Sequence, residues 1–277
     1  MKLSISNLVW DSRYDDVMYK FLFMEGISLE VVPSRLFKWR KDDVLGREIA
    51  PFEHIEEAKD WIDVLDAFYG IDIVSMHSLL YNIKENIFAN SVYRRFLFDY
   101  LTTGMDFANA IKCPNLVFGC PRNRNIPKAM NDKKSEEIAC GFFSKLASEA
   151  EKRNICICIE PIPASFGTNF INTTESAFEF ARKINNPFFK VNVDLGTVLS
   201  NGENIEDIIT DENIGLVNHI HISEPKLAPI RKRDIHQKLA ELLRKYNYEK
   251  CVSVEMLPYT DVRMIQGMLI YMKGIFC

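Results

Sequence analysis

Hydrophobic and polar residues alternate in four short segments in the second half of the chain, at 155–160, 190–194, 217–221 and 251–255. In the first, Ile155, Ile157 and Ile159 share one face of an extended strand, whereas Cys156, Cys158 and Glu160 share the other. The other three segments alternate in the same phase and also end on a polar residue. This pattern predicts strands whose apolar faces lie under helices and whose polar faces share an interior.

Strand-like and helix-like segments alternate along the whole chain. Strands are predicted at 3–9, 27–32, 71–77, 115–119, 155–160, 189–194, 216–222 and 251–256. Helices are predicted near 15–25, 54–69, 91–111, 133–153, 174–184, 204–210, 234–246 and 261–273. This order predicts an α/β protein with a (β/α)8 TIM barrel, formed by residues 1–277 as a single domain. An open doubly wound sheet is the alternative, but it requires a glycine-rich first turn, and residues 7–15 contain no glycine.

Four of the predicted strands end on residues that can bind a metal: Glu160, Asp194, His221 and Glu255. The carboxyl ends of barrel strands meet at one rim, where barrel enzymes hold their catalytic residues. Two Glu, one Asp and one His offer the oxygen and nitrogen ligands that suit one divalent metal ion, such as Mn, Mg, Co or Zn. A single carboxylate at a strand end more often pairs with a lysine or caps a helix, so the four residues carry this prediction only together.

Glu160 and Glu255 lie on the fifth and eighth predicted strands, across the barrel mouth from one another. Two carboxylates beside a shared cation can each transfer a proton on one face of a substrate carbon, as isomerisation or epimerisation beside a carbonyl requires. The metal would polarise that carbonyl and stabilise an enediolate. These residues therefore favour an isomerase or epimerase with Glu160 and Glu255 as the catalytic acid and base.

Five residues near predicted strand ends are candidates for substrate binding: Trp10, His77, Arg124, Lys226 and His219. Trp10 could stack on a sugar face or only cap the barrel mouth. His77 suits a substrate hydroxyl or a structural hydrogen bond equally, and His219 is balanced between a substrate contact and a core histidine. Arg124 and Lys226 lie in loops after strands and could bind a phosphate or carboxylate. Most loop cations are simply solvated, and among the loop arginines and lysines Arg124 is the leading candidate.

The segment after Asp194 and two long connections add to this prediction. Asp194 could also cap a helix at its N-terminus, and Gly196 indicates a tight bend at the rim. The connections 33–53 and 121–131 are expected to lie over the site and to shape substrate choice.

Composition excludes some classes of protein. The chain has 277 residues, of which 47% are hydrophobic, so it can bury a large core. A net charge of −4 argues against nucleic acid as the main partner. The seven cysteines are an odd number without zinc-finger spacing, which fits reduced thiols in a cytoplasmic protein. We expect no signal peptide and no membrane span. A homodimer is possible.

The predicted strand ends carry four longer motifs: Ile159-Glu160-Pro161-Ile162-Pro163, Val193-Asp194-Leu195-Gly196-Thr197, His219-Ile220-His221-Ile222-Ser223-Glu224-Pro225 and Val252-Ser253-Val254-Glu255-Met256. These motifs resemble the xylose isomerase-like superfamily, and within it the sugar phosphate isomerase/epimerase branch, which is related to ketose 3-epimerases and apurinic endonucleases. The resemblance implies a (β/α)8 barrel and a divalent metal, often manganese, on Glu160, Asp194, His221 and Glu255. It also implies that Glu160 and Glu255 transfer the protons.

Three positions depart from the ketose 3-epimerases of this family. Phe166 stands where they have a substrate-binding Glu, Thr197 where they have a His, and Leu227 where they have an Arg. The resemblance therefore implies a retained metal site with changed substrate contacts, and a substrate that differs from a simple ketohexose.

Three other functions are compatible with parts of the pattern. A dehydratase of a keto-polyol would use the same metal site, and a non-catalytic sugar-binding barrel would bind its ligand without turnover. An apurinic endonuclease would need a three-zinc cluster and a basic face for DNA, against which five histidines and a net charge of −4 argue. We therefore expect a small-molecule sugar or sugar derivative as the partner, rather than nucleic acid or a membrane.

Overall fold

The computed structural model describes residues 1–42 and 47–277. The strands within them are β1 (Lys2–Ser6), β2 (Ser28–Val31), β3 (Arg40–Asp42), β4 (Arg47–Ile49), β5 (Ile73–Met76), β6 (Asn115–Phe118), β7 (Cys156–Ile159), β8 (Phe189–Asp194), β9 (Val217–Ile222) and β10 (Cys251–Val254). The helices are α1 (Asp15–Glu25), α2 (Pro33–Leu36), α3 (Ile55–Phe68), α4 (Ser91–Ala110), α5 (Asp132–Lys152), α6 (Thr174–Ile184), α7 (Leu195–Asn201), α8 (Ile205–Ile208), α9 (Asp211–Ile214), α10 (Asp234–Lys245) and α11 (Val262–Phe276).

Eight of the strands form a closed parallel barrel in the order β1-β10-β9-β8-β7-β6-β5-β2. The first and last strands of the chain close it, because β1 pairs with β10 in a register that runs from Lys2 and Cys251 to Ile5 and Val254. The strands β3 and β4 form a separate antiparallel hairpin. The predicted (β/α)8 barrel is confirmed.

The outer faces of the strands are covered by helices whose apolar residues recur every three or four positions. In α5, Phe143, Leu146, Ala147 and Ala150 are buried, and Asn131 caps the helix by accepting a hydrogen bond from the Lys134 amide. The ring of Phe143 contacts that of Phe189 on β8, with centroids 5.5 Å apart. The core between barrel and helices thus follows the apolar phase seen in the sequence.

Polar side chains fill much of the barrel interior and are hydrogen-bonded to each other. Asn115 donates to Ser75 Oγ at 2.9 Å, and Cys158 Sγ donates to Asn115 Oδ1 at 3.1 Å. Ser253 Oγ donates to a carboxylate oxygen of Glu30 at 2.7 Å. All these residues are buried. Because an unpaired buried polar group is costly, this network fixes the side chains that lie beneath the carboxyl-terminal rim.

The connection between β8 and β9 differs from the prediction of one helix at 204–210. The chain forms α7 directly after β8 and then two single-turn helices, α8 and α9. Asp194 caps α7 by accepting a hydrogen bond from the Thr197 amide at 2.7 Å, as the capping interpretation expected.

The predicted tight bend at Gly196 is wrong, since this glycine lies in the first turn of α7. A Cβ atom there would lie 2.7 Å from Ser223 Oγ and 2.9 Å from the Glu224 carbonyl oxygen. The glycine is therefore needed for the close approach of α7 to the chain after β9, not for its backbone conformation.

The two long connections behave differently. In 33–53, the rings of Phe37 and Phe52 pack against Phe107 of α4, with centroids 5.5 and 5.7 Å apart. The described part of this connection thus packs on the outer helices instead of covering the site, and residues 43–46 lie outside the described residues. Pro121, at the start of the second connection, does line the cavity at the barrel mouth, as expected.

No membrane-crossing helix is found in the described ranges, since none of their helices combines enough length with enough apolarity.

Candidate metal centre

The structure brings together the four residues that the strand ends predicted. Glu160 and Glu255 directly follow β7 and β10, Asp194 ends β8, and His221 lies near the end of β9. One ligand atom from each lies within 4.8 Å of all the others, and all four side chains are buried. Their metal-binding role stays a prediction, but their geometry allows one shared ion.

His221 is the centre of this cluster. Its Nδ1 lies 2.9 Å from Glu160 Oε1 and 3.1 Å from Glu255 Oε2. Its other nitrogen, Nε2, lies 3.1 Å from Glu30 Oε1. Burial alone would lower the pKa of His221, but Glu30, Glu255 and Glu160 raise the pKa well above its ordinary value. The carboxylates thus place strong negative potential at Nδ1, where a proton or a cation is stabilised.

The carboxylate of Asp194 lies close to other carboxylates, and this crowding disfavours its ionised form. Burial and the nearby Glu160 raise the pKa of Asp194 to about 7. The side chain is nevertheless held in place, because it accepts hydrogen bonds from the Thr197 hydroxyl at 2.8 Å and from the Ser223 hydroxyl. Three carboxylates against one imidazole is a donor set that fits a divalent cation, which would neutralise the repulsion.

Glu255 lies between two imidazoles. His77 Nδ1 is 3.2 Å from Glu255 Oε1, and His77 Nε2 is 2.6 Å from Ser6 Oγ. Burial would raise the pKa of Glu255, but His221 and His77 hold the pKa well below its ordinary value. Burial lowers the pKa of His77, but the carboxylates of Glu255 and Glu30 raise it by more. The pKa of His77 therefore lies above its ordinary value. His77 and Ser6 therefore fix the orientation of Glu255 and favour its ionised form.

Glu160 is held by neighbours on both adjacent strands. Asn192 Nδ2, on β8, donates to Glu160 Oε1 at 2.7 Å. After β6, Gly119 provides space for the carboxylate, since a Cβ atom there would collide with Glu160 Oε2. A glycine at this position is therefore a condition for the observed position of Glu160.

Three members of the cluster, Glu160, Asp194 and Glu255, form the floor of a cavity of about 240 Å³. Glu160, Asp194, Glu255 and His77 line its polar end. Apolar side chains form much of the wall, and they belong to Val117, Pro121, Ile162, Pro163, Phe166 and Leu227. The three positions that depart from the ketose 3-epimerases, Phe166, Thr197 and Leu227, all line this cavity together with Lys226. The departures thus change the surroundings of a bound ligand and leave the floor intact.

A second groove of about 510 Å³ adjoins this cavity. Ser78, Cys120 and Pro121 line both spaces, so the two share part of their walls. Tyr81, which is 59% exposed, and the cations Lys84 and Arg122 also line the groove.

Trp10 does not occupy the predicted place on the cavity wall. It is buried, its Nε1 donates to Asp15 Oδ1 at 2.7 Å, and the Arg35 guanidinium lies 5.5 Å from the centre of its ring. Since the Arg35 guanidinium already covers the indole ring, these positions favour the alternative in which Trp10 only caps the barrel mouth.

Arg124 and His219 also lie outside the residues that line the described cavity. Arg124 is fully buried and donates from Nη2 to the carbonyl oxygen of Glu160 at 2.7 Å, so it supports the rim from below. His219 is buried in the barrel interior, where its Nε2 lies 3.0 Å from Glu30 Oε1. Of the five predicted substrate contacts, His77 and Lys226 are the two that line the cavity.

The sequence analysis missed Glu30, which is fully buried on β2. Burial would raise the pKa of Glu30, but His221, His219 and His77 lower the pKa well below its ordinary value. A signal was available: Ser28 and Glu30 alternate with Leu29 and Val31 in the phase of the other strands, which places a carboxylate on the inner face.

Comparison with known sequences matches one family. The profile of the family described as xylose isomerase-like TIM barrel matches residues 25–269. No curated protein matches the chain by sequence.

Several solved structures share the fold. D-psicose 3-epimerase from Clostridium cellulolyticum H10, solved with D-tagatose, superposes with a TM-score of 0.78 at 16% identity, over 100% of this chain and 99% of that one. A 3-keto-D-glucoside 4-epimerase from E. coli gives a TM-score of 0.75 at 14% identity, over 99% of both chains. An AP endonuclease of family 2 from Brucella melitensis gives 0.73 at 16% identity, over 99% of both chains. At these identities the similarity concerns the fold alone.

Proposed function

Because the chain belongs to the xylose isomerase-like TIM barrel family, we propose that it is a divalent-metal-dependent isomerase or epimerase of a sugar or sugar derivative. The observation that carries this proposal is the buried cluster of Glu160, Asp194, His221 and Glu255, three of which line a cavity of about 240 Å³ at the barrel mouth. Similar folds in two solved sugar epimerases support it.

Glu160, Asp194, His221 and Glu255 would hold one ion of Mn, Mg, Co or Zn. When bound, such an ion polarises a carbonyl group of the substrate and makes the neighbouring C–H bond more acidic. The three carboxylates favour a hard or borderline cation over a soft one.

Glu255 and Glu160 would transfer the protons. Glu255, which His77 and His221 keep ionised, accepts the proton from the carbon beside the carbonyl in one direction of the reaction. Glu160 then donates a proton to the other face of the resulting enediolate, and the two residues exchange roles in the reverse direction. His77 is placed to hold Glu255 against the substrate, since it contacts that carboxylate at 3.2 Å.

The residues that line the walls of the cavity indicate which class of substrate would bind there. Phe166 and Leu227 give the cavity apolar walls, so we propose that His77 and Lys226 make the polar contacts to the substrate above the floor. A phosphorylated sugar is the variant that the cations of the adjoining groove would accommodate.

The test is a substrate screen in D2O with metal analysis. Ketoses, their phosphates, 3-keto-glucosides and inososes are incubated with protein loaded with Mn2+ or Co2+ and followed by NMR. We expect about one metal per chain, deuterium at the carbon beside the carbonyl, and interconversion of isomers that stops on chelation. Loss of water instead of interconversion would indicate the dehydratase. If no sugar exchanged a proton with metal-loaded protein, the proposal would be wrong.

A further inference from the structure

Glu30 lies in the barrel interior, on the far side of His221 from the cavity floor. Its carboxylate is fully buried, and its Oε1 lies 3.1 Å from His221 Nε2 with hydrogen-bond geometry. Glu160 and Glu255 contact the opposite nitrogen, Nδ1, of the same ring. The imidazole therefore has carboxylates at both nitrogens, with only the Nδ1 side open to the candidate metal centre.

The hydrogen bond between Nε2 of His221 and Glu30 determines which ring nitrogen is available to a metal. An ionised carboxylate only accepts hydrogen bonds, so Nε2 must carry a hydrogen that points to Glu30. With Nε2–H directed at Glu30, Nδ1 is the nitrogen that faces Glu160, Glu255 and the side-chain amide of Asn192, and a cation held by the two carboxylates would take the place of a hydrogen there. A ring turned over by half a revolution would lose both arrangements at once. The contact with Glu30 thus selects one tautomer and one ring orientation.

Glu30 is itself held by a separate strand. Ser253 Oγ, on β10, donates to Glu30 Oε2 at 2.7 Å, and Ser253 is the register partner of His221 on β9. His219 Nε2 lies 3.0 Å from Glu30 Oε1, on the same side as His221, without a well-aligned hydrogen bond. A carboxylate fixed from two directions can in turn fix the ring that it contacts.

We propose that Glu30 is a positioning residue for the metal centre, because it presents Nδ1 of His221 as a ligand by holding Nε2–H. This inference rests on the proposed metal site. Metal-bound histidines commonly donate their second N–H to a carboxylate, and loss of such a partner weakens metal binding about 10- to 100-fold.

The variant that tests the inference is Glu30→Gln, which keeps size and shape but removes the charge. Ser75→Ala is the matched control, since Ser75 is the register partner of Glu30 on β5 and the change removes a buried hydrogen bond, to Asn115, that involves neither Glu30 nor His221. Metal-free protein is titrated with Co2+, and the visible absorption of the bound ion is recorded. The spectrum reports the ligand field at the ion, which a loss of stability alone would not change.

We expect Glu30→Gln to bind Co2+ about 10- to 100-fold more weakly than wild type, with an altered absorption spectrum. Ser75→Ala should keep the wild-type spectrum and nearly the wild-type affinity. Should Glu30→Gln fail to fold, Glu30→Asp keeps the charge but withdraws it by one methylene, and it should also weaken Co2+ binding and alter the spectrum.

Unchanged Co2+ affinity and an unchanged spectrum in a folded Glu30 variant would overturn the inference, whatever the sugar assays show. Wild-type protein that binds Co2+ but converts no sugar would remove the proposed activity and leave the role of Glu30 testable by the same titration. Wild-type protein that binds no divalent ion would overturn both.

Discussion

Glu160 and Glu255 approach the same nitrogen of one imidazole: their carboxylate oxygens lie 2.9 and 3.1 Å from Nδ1 of His221. They come from strands on either side of the pair β8 and β9, so the proposed substrate would have one carboxylate to each side. This arrangement is what a reaction with two proton transfers requires, and it is open to direct test.

We predict that Glu160→Gln and Glu255→Gln each lower the rate of interconversion about 10²- to 10⁴-fold, the usual contribution of a general acid or base. A single variant should still exchange the substrate proton with D2O for one isomer, because the remaining carboxylate can remove and return that proton. NMR of each isomer with each variant measures both quantities.

Metal content is the necessary check, since either change also alters a predicted ligand. Glu203→Gln is the control, because Glu203 accepts hydrogen bonds near the start of α6, from Thr174 and Asn201, away from the cavity. A metal-loaded Glu160 or Glu255 variant with full activity would exclude the mechanism with two bases.

Chelation should lower the melting temperature of the protein. A metal that binds only the folded site adds about 2.7 kcal/mol when its free concentration is 100 times its dissociation constant. For a chain of this size that corresponds to a shift of roughly 5 °C. Differential scanning calorimetry with Mn2+ and with excess chelator measures it. The variant Asp194→Asn should show a smaller difference, and identical curves for wild type would argue against the metal site.

The pKa of Asp194 predicts how the metal-free protein responds to pH. Its value of about 7 in the folded state lies above the ordinary 3.8, so between these pH values the folded protein binds a proton that the unfolded chain does not. The stabilisation from this group is therefore present at low pH and is lost as the pH rises through 7. Urea unfolding of metal-free wild type from pH 5 to 8 should show a decline relative to Asp194→Asn. Parallel curves would contradict the raised pKa.

The sequence predicted the positions of the strands and the four residues at their ends because both depend on local alternation. In a parallel barrel, the last inward residue of each strand reaches the same rim, so Glu160, Asp194 and Glu255 could be placed without knowledge of packing. The prediction of a bend at Gly196 was wrong for a different reason. A glycine is needed there because Ser223 and Glu224, which are distant in sequence, approach it closely.

The direction of long side chains could not be predicted in the same way. Arg124 follows a strand and was expected at the rim, but its guanidinium turns inward to the carbonyl of Glu160. Glu30 lies in the middle of its strand, so a search confined to strand ends passed over it, although its alternation with Leu29 was visible. Interior contacts such as that between Glu30 and His221 depend on which strands face each other across the barrel.

The groove that adjoins the cavity predicts a preference for phosphorylated sugars. Its two loops are fixed to each other, because Asn123 Nδ2 donates to the carbonyl oxygens of Ile83 and Glu85 at 3.0 and 2.8 Å. Lys84 and Arg122 line this groove and are not among the residues that line the described cavity. Such cations are placed to bind a phosphate at the end of the sugar away from the reacting carbon.

Arg122→Ala and Lys84→Ala should therefore raise the KM for a ketose phosphate about 3- to 10-fold, a modest effect because both cations are exposed. The kcat should stay near the wild-type value, and the unphosphorylated ketose should be converted as before. Lys128→Ala is the control, since Lys128 belongs to the same connection but lies outside the residues that line the described groove. Steady-state kinetics with both sugars decide the matter: equal effects on the two substrates, or none on either, would show that the groove does not bind a phosphate.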